Sequence, residues 1–478
     1  DYVCDLSPDQ SAALMVVNHQ SLEILAYAGS ADFYATKRKG HVDMVRAIRS
    51  PGSALKPFLY GLALDQGLIH SHSLLLDTPR VGQDYDPGNF TNGFSGPVSA
   101  ARALRLSLNL PAVQLLEAYG PKKFHDRLNH AGAGLVLTGK PNLSIILGGA
   151  GTSLEKLVRL YTALARQGMT GKPRLAKEAP VKNRHLMSEG AAWIVRQMLL
   201  SPMPGFEGVN RLAGHTPMAW KTGTSYGFRD SWAFGIMGDY VAGVWVGRPD
   251  GSPSPGQYGA VTALPLLRQV FESLPLSDFR TPMPVSVRQT TICWPLGTEK
   301  QSVWEDCHVR HRAWILDDAV PLTLPADPAL PESLKKTFWI DARGLRARPS
   351  CGGETRVTVT VWPQAAEAWI PGAWRRHDRI PRAAPGCSDM SDGSHGRLLI
   401  TSIHDGSRIT APPGQARVPA IELSARGGKG PLYWFLNGRA AVVSRPGLSA
   451  HLPMPGPGEY QLTVADARRF VVRLQTRG

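Results

Sequence analysis

The chain is poor in cysteine, has no long apolar run and does not open on methionine. Five cysteines in 478 residues stand at 4, 293, 307, 351 and 387, and none forms C-x-x-C. No stretch of about 18 or more residues is uninterruptedly apolar, and no charged-then-apolar leader begins the chain. The sequence therefore reads as neither crossing a membrane nor carrying an export signal, and the missing methionine suggests that something upstream has been removed. Internal repeats, low-complexity tracts, a basic helix, an RNP-like motif and a zinc finger are all missing. Acidic residues are in short supply: 38 Asp+Glu against 53 Lys+Arg leave a formal charge of +15. Such a charge attracts polyanions, whether nucleic acid, an anionic membrane face or an acidic cell-wall polymer. The basic residues are scattered, densest at Lys37–Lys39 and Arg375–Arg376, so the charge reads as a generally basic surface and no nucleic-acid partner is expected.

What is present describes a globular protein of several parts. Apolar residues make up 43% and charged residues 19%, which argues against disorder. The length suggests two to four domains, and 39 prolines with 49 glycines suggest many turns and a large β component. Four cysteines crowd into residues 293–387. Neighbour pairing would join Cys293 to Cys307 and Cys351 to Cys387, but four cysteines allow three connectivities. Disulfides would place the chain in an oxidising compartment. A metal reading of CHVRH, with His308 and His311 near Cys307, lacks a second ligand cluster; no metal or cofactor is expected.

The hydrophobic pattern divides the chain. Residues 12–28 read as two strands around the polar break Asn18–Ser21. Residues 53–65 read as a helix, and 99–119 as two helical stretches interrupted at SLNLP, where Pro111 can start the second. Residues 188–200 carry a Ser N-cap and an early Glu, a good helix start. From Ala219 to Gly247 three short β-like runs form an antiparallel meander, and 264–274 is an amphipathic helix. These elements describe an α+β domain over 1–276. A Pro-, Arg- and Trp-rich, cysteine-containing β-rich linker region follows over 277–390. In 391–478, LLITSI, AIELSA, PLYWFL, AAVVS, YQLTVA and FVVRLQ suggest a small immunoglobulin-like β-sandwich, with NGR as a hairpin signal.

Three short motifs carry chemistry. In SALK, Ser53 and Lys56 lie one helical turn apart on one face. A serine hydroxyl needs a base to become a nucleophile, and a lysine held neutral by burial can be that base. The bland alternative is that Ser53 merely caps a helix. S-x-x-K also occurs at Ser153–Lys156 and Ser333–Lys336, so alone it decides little. Ser107-Leu-Asn109 is the only S-x-N, at a break between helical stretches. Lys221-Thr222-Gly223 is the only K-T-G, on an expected strand and followed by Thr224. It can present a cation and hydroxyls to a carboxylate, while the glycine lets a substrate backbone approach. GGAGTSL and GGKGP fail as phosphate loops, for want of a third glycine and of a Ser/Thr after GK.

The order S-x-x-K, S-x-N, K-T-G is the signature of serine penicillin-recognising enzymes. With RSPGSALKPF, ALRLSLNLPAV, ILGGAGTSLEKLVRLYTALARQG and WKTGTSYGFRDSWAFG, the chain resembles the transpeptidase part of the bifunctional penicillin-binding proteins. CWP at 293–295 and YWFLNG extend the resemblance toward the C-terminus. It implies a penicillin-binding/β-lactamase-like antiparallel sheet with helices, followed by β-rich modules. It implies that Ser53 attacks a D-Ala-D-Ala stem peptide, that Lys56 is the base, and that Ser107 relays a proton with Lys221 tuning it. Asn109 would hold Lys56 and the substrate amide, and Thr222, Gly223 and Thr224 would line the substrate carboxylate. The oxyanion hole would be the backbone N–H groups of Ser53 and Thr224. Implied partners are peptidoglycan stem peptides, β-lactams, and cell-wall or periplasmic proteins at the C-terminal module. The implied place is the periplasm, tethered to the inner membrane through an upstream segment. No membrane anchor or glycosyltransferase signature is visible, so glycan polymerisation is not expected of this chain. Two alternatives remain: a hydrolase (carboxypeptidase or β-lactamase), whose water-activating base would come from Glu117, Asp126, Glu155, Glu178, Glu189 or Glu207, and a weakly active or inactive penicillin-binding scaffold.

Overall fold

A computed structural model describes residues 6–78, 94–201, 218–275, 277, 279–299, 306–326, 333–387, 398–403, 420–427, 431–445, 448–456, 458–466 and 470–477. The chain forms two compact units, residues 1–73, 99–292 and 312–324 in the first and 74–98, 293–311 and 325–478 in the second.

The first unit is built on five strands: β1 (Ser11–Asn18), β2 (Ile24–Ala28), β3 (Ala219–Thr224), β4 (Asp230–Met237) and β5 (Tyr240–Gly247). They pair in the order β2-β1-β5-β4-β3, and every pairing is antiparallel. The two N-terminal strands and the 219–247 meander expected from the sequence are thus halves of one sheet, joined where Ser11–Asn18 runs against Tyr240–Gly247. Around it stand α1 (Lys56–Asp65), α2 (Ala100–Arg105), α3 (Asn109–Tyr119), α4 (Pro121–Ala131), α5 (Leu154–Ala165), α6 (Glu189–Leu199) and α7 (Ala263–Glu272). Strand alternation sorts the faces. Ala233, Val244 and Val246 join Leu264, Leu267 and Phe271 of α7 in one core. Phe234 points the other way and stacks on Tyr161 of α5, with ring centroids 4.4 Å apart. Helix α6 starts at Ser188, whose hydroxyl accepts the Ala191 N–H. Helix α3 begins at Asn109, two residues before Pro111, which lies in the first turn where a missing donor costs least.

In the second unit, strands 432–436, 439–444, 459–466 and 470–477 form a four-stranded sheet. The pairs 399–400 with 425–426 and 421–423 with 450–452 add two short ribbons. Leu423, Leu452, Trp434, Leu462 and Val464 share one apolar core, as a small β-sandwich requires. The Trp434 indole N–H is kept satisfied by Ser444 Oγ at 2.9 Å. Asn437 and Gly438 both take positive φ (51° and 76°), which makes the NGR hairpin turn. Cys293 bonds Cys307 and Cys351 bonds Cys387, with Cα separations of 5.2 and 6.3 Å. The neighbour pairing is the connectivity found. Cys307 is therefore no thiolate ligand, which removes the CHVRH metal reading. Cys4 and Glu207 lie outside the described residues. Among the described residues no helix is long and apolar enough to cross a membrane.

Candidate active site

Ser53 sits in a 3-10 turn, Gly52–Leu55, that runs straight into α1. From Pro51 to Leu64 every residue is buried except Ser53, which is half-buried. Its hydroxyl is the point at which this otherwise buried segment meets solvent. The turn is shaped by close backbone contact. Gly52 has φ +52°, and a Cβ there would collide with the Thr224 carbonyl. On the facing strand, a Cβ at Gly223 would stand 2.6 Å from the Pro51 carbonyl oxygen. The Ser53 turn and the end of β3 touch backbone to backbone. The N-cap of α1 is Leu55, with no side-chain cap bond. The cap reading of Ser53 is thereby corrected.

The other two S-x-x-K pairs show what capping and plain surface polarity look like. Ser153 is the N-cap of α5 and accepts the Lys156 N–H at 3.4 Å. Ser333 donates its hydroxyl to the Lys335 carbonyl at 2.8 Å, at an exposed position. Neither brings its lysine amine toward a second motif.

Lys56, the first residue of α1, is fully buried. Its Nζ donates to the Ser107 carbonyl (2.7 Å), the Leu108 carbonyl (3.0 Å) and Asn109 Oδ1 (2.8 Å). Each of these is an oxygen that can accept from a lysine ammonium. Ser107 can offer its carbonyl because it adopts φ +58° between α2 and α3, a left-handed conformation that a serine rarely holds without purpose. The same residue turns its hydroxyl to Lys221, whose Nζ donates to Ser107 Oγ and to the Thr222 carbonyl, each at 2.7 Å. One serine thus meets two lysines, by its carbonyl and by its hydroxyl. Leu108 contributes a carbonyl only, its side chain being buried.

Lys221 projects from the buried face of β3, alongside Gly223; Thr222 and Thr224 lie on the half-buried face. Burial drives the Lys221 amine down to about 7, because the charged form loses its hydration. Thr224 Oγ1 accepts the Gly259 N–H at 3.1 Å and keeps its own proton to donate. The structure brings Ser107, Asn109, Lys56 and Lys221 into one hydrogen-bonded set, with Ser53 on the turn beside Thr224. Of the acids weighed for water activation, Asp126 pairs with Lys122 at 2.6 Å, and Glu178 and Glu189 are exposed. Glu117 lies on α3 and Glu155 opens α5.

Residues 12–240 match the model of the penicillin binding protein transpeptidase domain. Residues 286–315 match the penicillin-binding protein 1C linker domain, 330–378 its second linker domain, and 387–469 the penicillin-binding protein C-terminus family. Penicillin-binding protein 1C of Escherichia coli (strain K12) is 44% identical over 474 residues, covering 96% of this chain and 60% of that protein. This chain belongs to the penicillin-binding protein family. Penicillin-binding protein 1A of Aquifex aeolicus is 30% identical over 301 residues, or 58% of this chain and 40% of that protein. The chain thus spans between two-fifths and three-fifths of these relatives' length. Among solved structures, penicillin-binding protein 1A from Haemophilus influenzae has a TM-score of 0.53 at 17% identity, covering 66% of this chain and 54% of that one. PonA1 from Mycobacterium tuberculosis, in complex with penicillin V, has a TM-score of 0.50 at 23% identity, covering 59% and 83%. Both share the penicillin-binding protein fold.

Two residues outside the three motifs brace the Ser53 turn of this penicillin-binding protein. Tyr161 donates its buried hydroxyl to the Ala54 carbonyl at 2.9 Å, and Trp232 donates its indole N–H to the Ser50 carbonyl at 2.8 Å. The sequence signal was present: both are aromatic residues with a polar handle inside apolar runs, where a partner is needed.

Proposed function

We propose that this chain is a serine D,D-transpeptidase of peptidoglycan synthesis. The observation that carries the reading is the bridge at Ser107, whose carbonyl and hydroxyl engage Lys56 and Lys221. In this reading Ser53 attacks the penultimate D-Ala carbonyl of a stem peptide, and its proton passes to Lys56, which must first have lost one of its own. The backbone N–H groups of Ser53 and Thr224 stabilise the tetrahedral oxyanion; one such donor is worth about 3–4 kcal/mol. As the C–N bond breaks, Ser107 gives its proton to the leaving D-Ala amine and recovers one from Lys56. Cationic Lys221 steadies the transient charge on Ser107, Asn109 orients Lys56 and the substrate amide, and Thr222, Gly223 and Thr224 receive the terminal carboxylate. The amine of a second stem peptide then takes the acyl group. A β-lactam would enter by the same attack and remain as the acyl-enzyme.

The proposed modules are 1–276 for catalysis, 277–390 as a linker and 391–478 for docking a cell-wall or periplasmic protein. Two disulfides suit an oxidising compartment, and the periplasm, at the inner-membrane face, is the proposed place of work. Labelling by a fluorescent penicillin, with peptide mapping of the adduct, tests the assignment. A single adduct on the Ser53 peptide is expected, absent in Ser53→Ala. Equal labelling of the two proteins would overturn it, and steady turnover of nitrocefin would point to the hydrolase instead.

A further inference from the structure

Asp230 opens β4 inside the apolar run DSWAFGIM and is buried, 4% exposed. A buried carboxylate needs partners, and this one takes them from three separate segments. Its Oδ2 accepts the Ser225 hydroxyl at 2.9 Å. Its Oδ1 accepts the Trp245 indole N–H at 3.0 Å and stands 3.8 Å from Arg49 Nε. Its own backbone joins in: the Asp230 N–H donates to Ser225 Oγ (2.8 Å), and its carbonyl accepts the Ser225 N–H (3.0 Å). Burial raises its pKa, against the opposing pull of Trp245, Ser225 and Arg49.

Ser225, hydrogen-bonded to this carboxylate, and Arg49, ion-paired with it at 3.8 Å, flank the two halves of the proposed oxyanion hole. Ser225 directly follows Thr224. Arg49 lies four residues before Ser53 and is itself fixed, by a two-way backbone pairing with Thr152 and by donation to the Pro249 carbonyl. Between the two halves there is no slack, since Gly52 already touches the Thr224 carbonyl with no room for a Cβ. A sub-ångström shift of either half would therefore pass directly to the other.

We propose that Asp230 is a positioning residue: by holding Ser225 and Arg49 to one buried carboxylate, it sets the convergence of the Ser53 and Thr224 backbone N–H groups on the oxyanion. This rests on the assignment of Ser53 and Thr224 made above. Asp230 touches no substrate and acts through those two backbones. The effect falls on a step, not on affinity, because the carboxylate-binding hydroxyls of Thr222 and Thr224 remain in place.

The test separates non-covalent penicillin binding from the first-order acylation step by stopped-flow, in the whole chain. Asp230→Asn keeps the shape but discards the charge facing Arg49; Ser225→Ala removes one hydroxyl from the clamp. Losing a well-aimed oxyanion donor costs about 100- to 1,000-fold, so a misaimed pair should cost about 10- to 100-fold in the acylation constant for Asp230→Asn, and less for Ser225→Ala. Binding should stay within about twofold, and the pH at which the profile bends should not move. A merely structural role would instead lower the fraction of protein that labels, leaving the acylation constant of the labelled fraction unchanged, and that result would overturn the proposal. Should Asp230→Asn fail to fold, an unchanged acylation constant in Ser225→Ala overturns it equally. Ser53→Ala distinguishes the two levels: if that variant still labels, the functional reading itself fails; if it does not label while Asp230→Asn acylates normally, only the positioning role fails.

Discussion

The most informative perturbation is pH, because it changes the charge on Lys221 without altering the chain, and Lys221→Arg separates this group from the others that titrate. Lys221 has its amine pushed down to about 7 by burial, from about 10.4 for an unfolded lysine. It is therefore cationic below about pH 7 and neutral above. If the cation is what steadies Ser107 and greets the substrate carboxylate, the second-order acylation constant should track the charged fraction. That fraction is roughly 90% at pH 6, half at pH 7 and roughly 10% at pH 8, so the constant should fall about tenfold from pH 6 to pH 8 through this group. The second-order constant reports the free enzyme. In the complex, a carboxylate a few ångströms away raises a neighbouring lysine by about one to three units, so the first-order constant should bend only near about pH 8–10. The assay is stopped-flow acylation by a penicillin across pH 5.5–10. Lys221→Arg, charged throughout, should acylate more slowly but lose the fall above pH 7. A bend near pH 7 that Lys221→Arg leaves untouched would refute the assignment of the cation as the working form.

Other outcomes follow from the same contacts. Because the folded Lys221 binds its proton more weakly than the unfolded lysine, stability should climb with pH between about 7 and 10.4 and level off outside that window; thermal melting in Lys221→Met should flatten this slope. Ser53→Ala should abolish penicillin labelling yet leave urea unfolding within about 0.5 kcal/mol, since Ser53 caps nothing. Ser153→Ala should do the reverse, costing about 1 kcal/mol for the lost cap of α5 with labelling intact. Gly52→Ala must place a Cβ against the Thr224 carbonyl at positive φ, and should lower the acylation constant at least about 100-fold.

Much of this was legible because it is local. The apolar run ALMVV and the β-like runs of 219–247 specify strands, and the meander's turns fix who pairs with whom inside it. Ser188 followed by Glu189 announces α6. Three motifs in one order outweighed two decoy S-x-x-K pairs that spacing alone could not dismiss. What stayed hidden is non-local. Nothing in the two segments says that Ser11–Asn18 will lie against Tyr240–Gly247. Nor does spacing show that Ser107 will take φ +58° and divide its carbonyl and hydroxyl between two lysines more than a hundred residues apart in sequence. The helix-cap reading of Ser53 failed for a related reason. A cap is judged from the residues that follow it, whereas this turn is shaped from outside, by Thr224 and Tyr161.

That external shaping explains how the site can hold two buried lysines so close to one serine. An isolated buried ammonium is costly, so each amine must be surrounded by acceptors that cannot move away. For Lys56 they are the Ser107 and Leu108 carbonyls of the short break between α2 and α3 and Asn109 Oδ1 at the start of α3. For Lys221 the second acceptor is the carbonyl of the next residue in its own strand. Backbone carbonyls cannot be protonated near neutral pH and cannot rotate out of place, so they hold the amines without competing for the travelling proton. In the proposed mechanism Ser107 Oγ, the hydroxyl that accepts from Lys221, is the group through which a proton leaves the set. In that mechanism the serine of the second motif serves as the switch point, and the positive φ at Ser107 is the backbone cost of presenting both its oxygens at once.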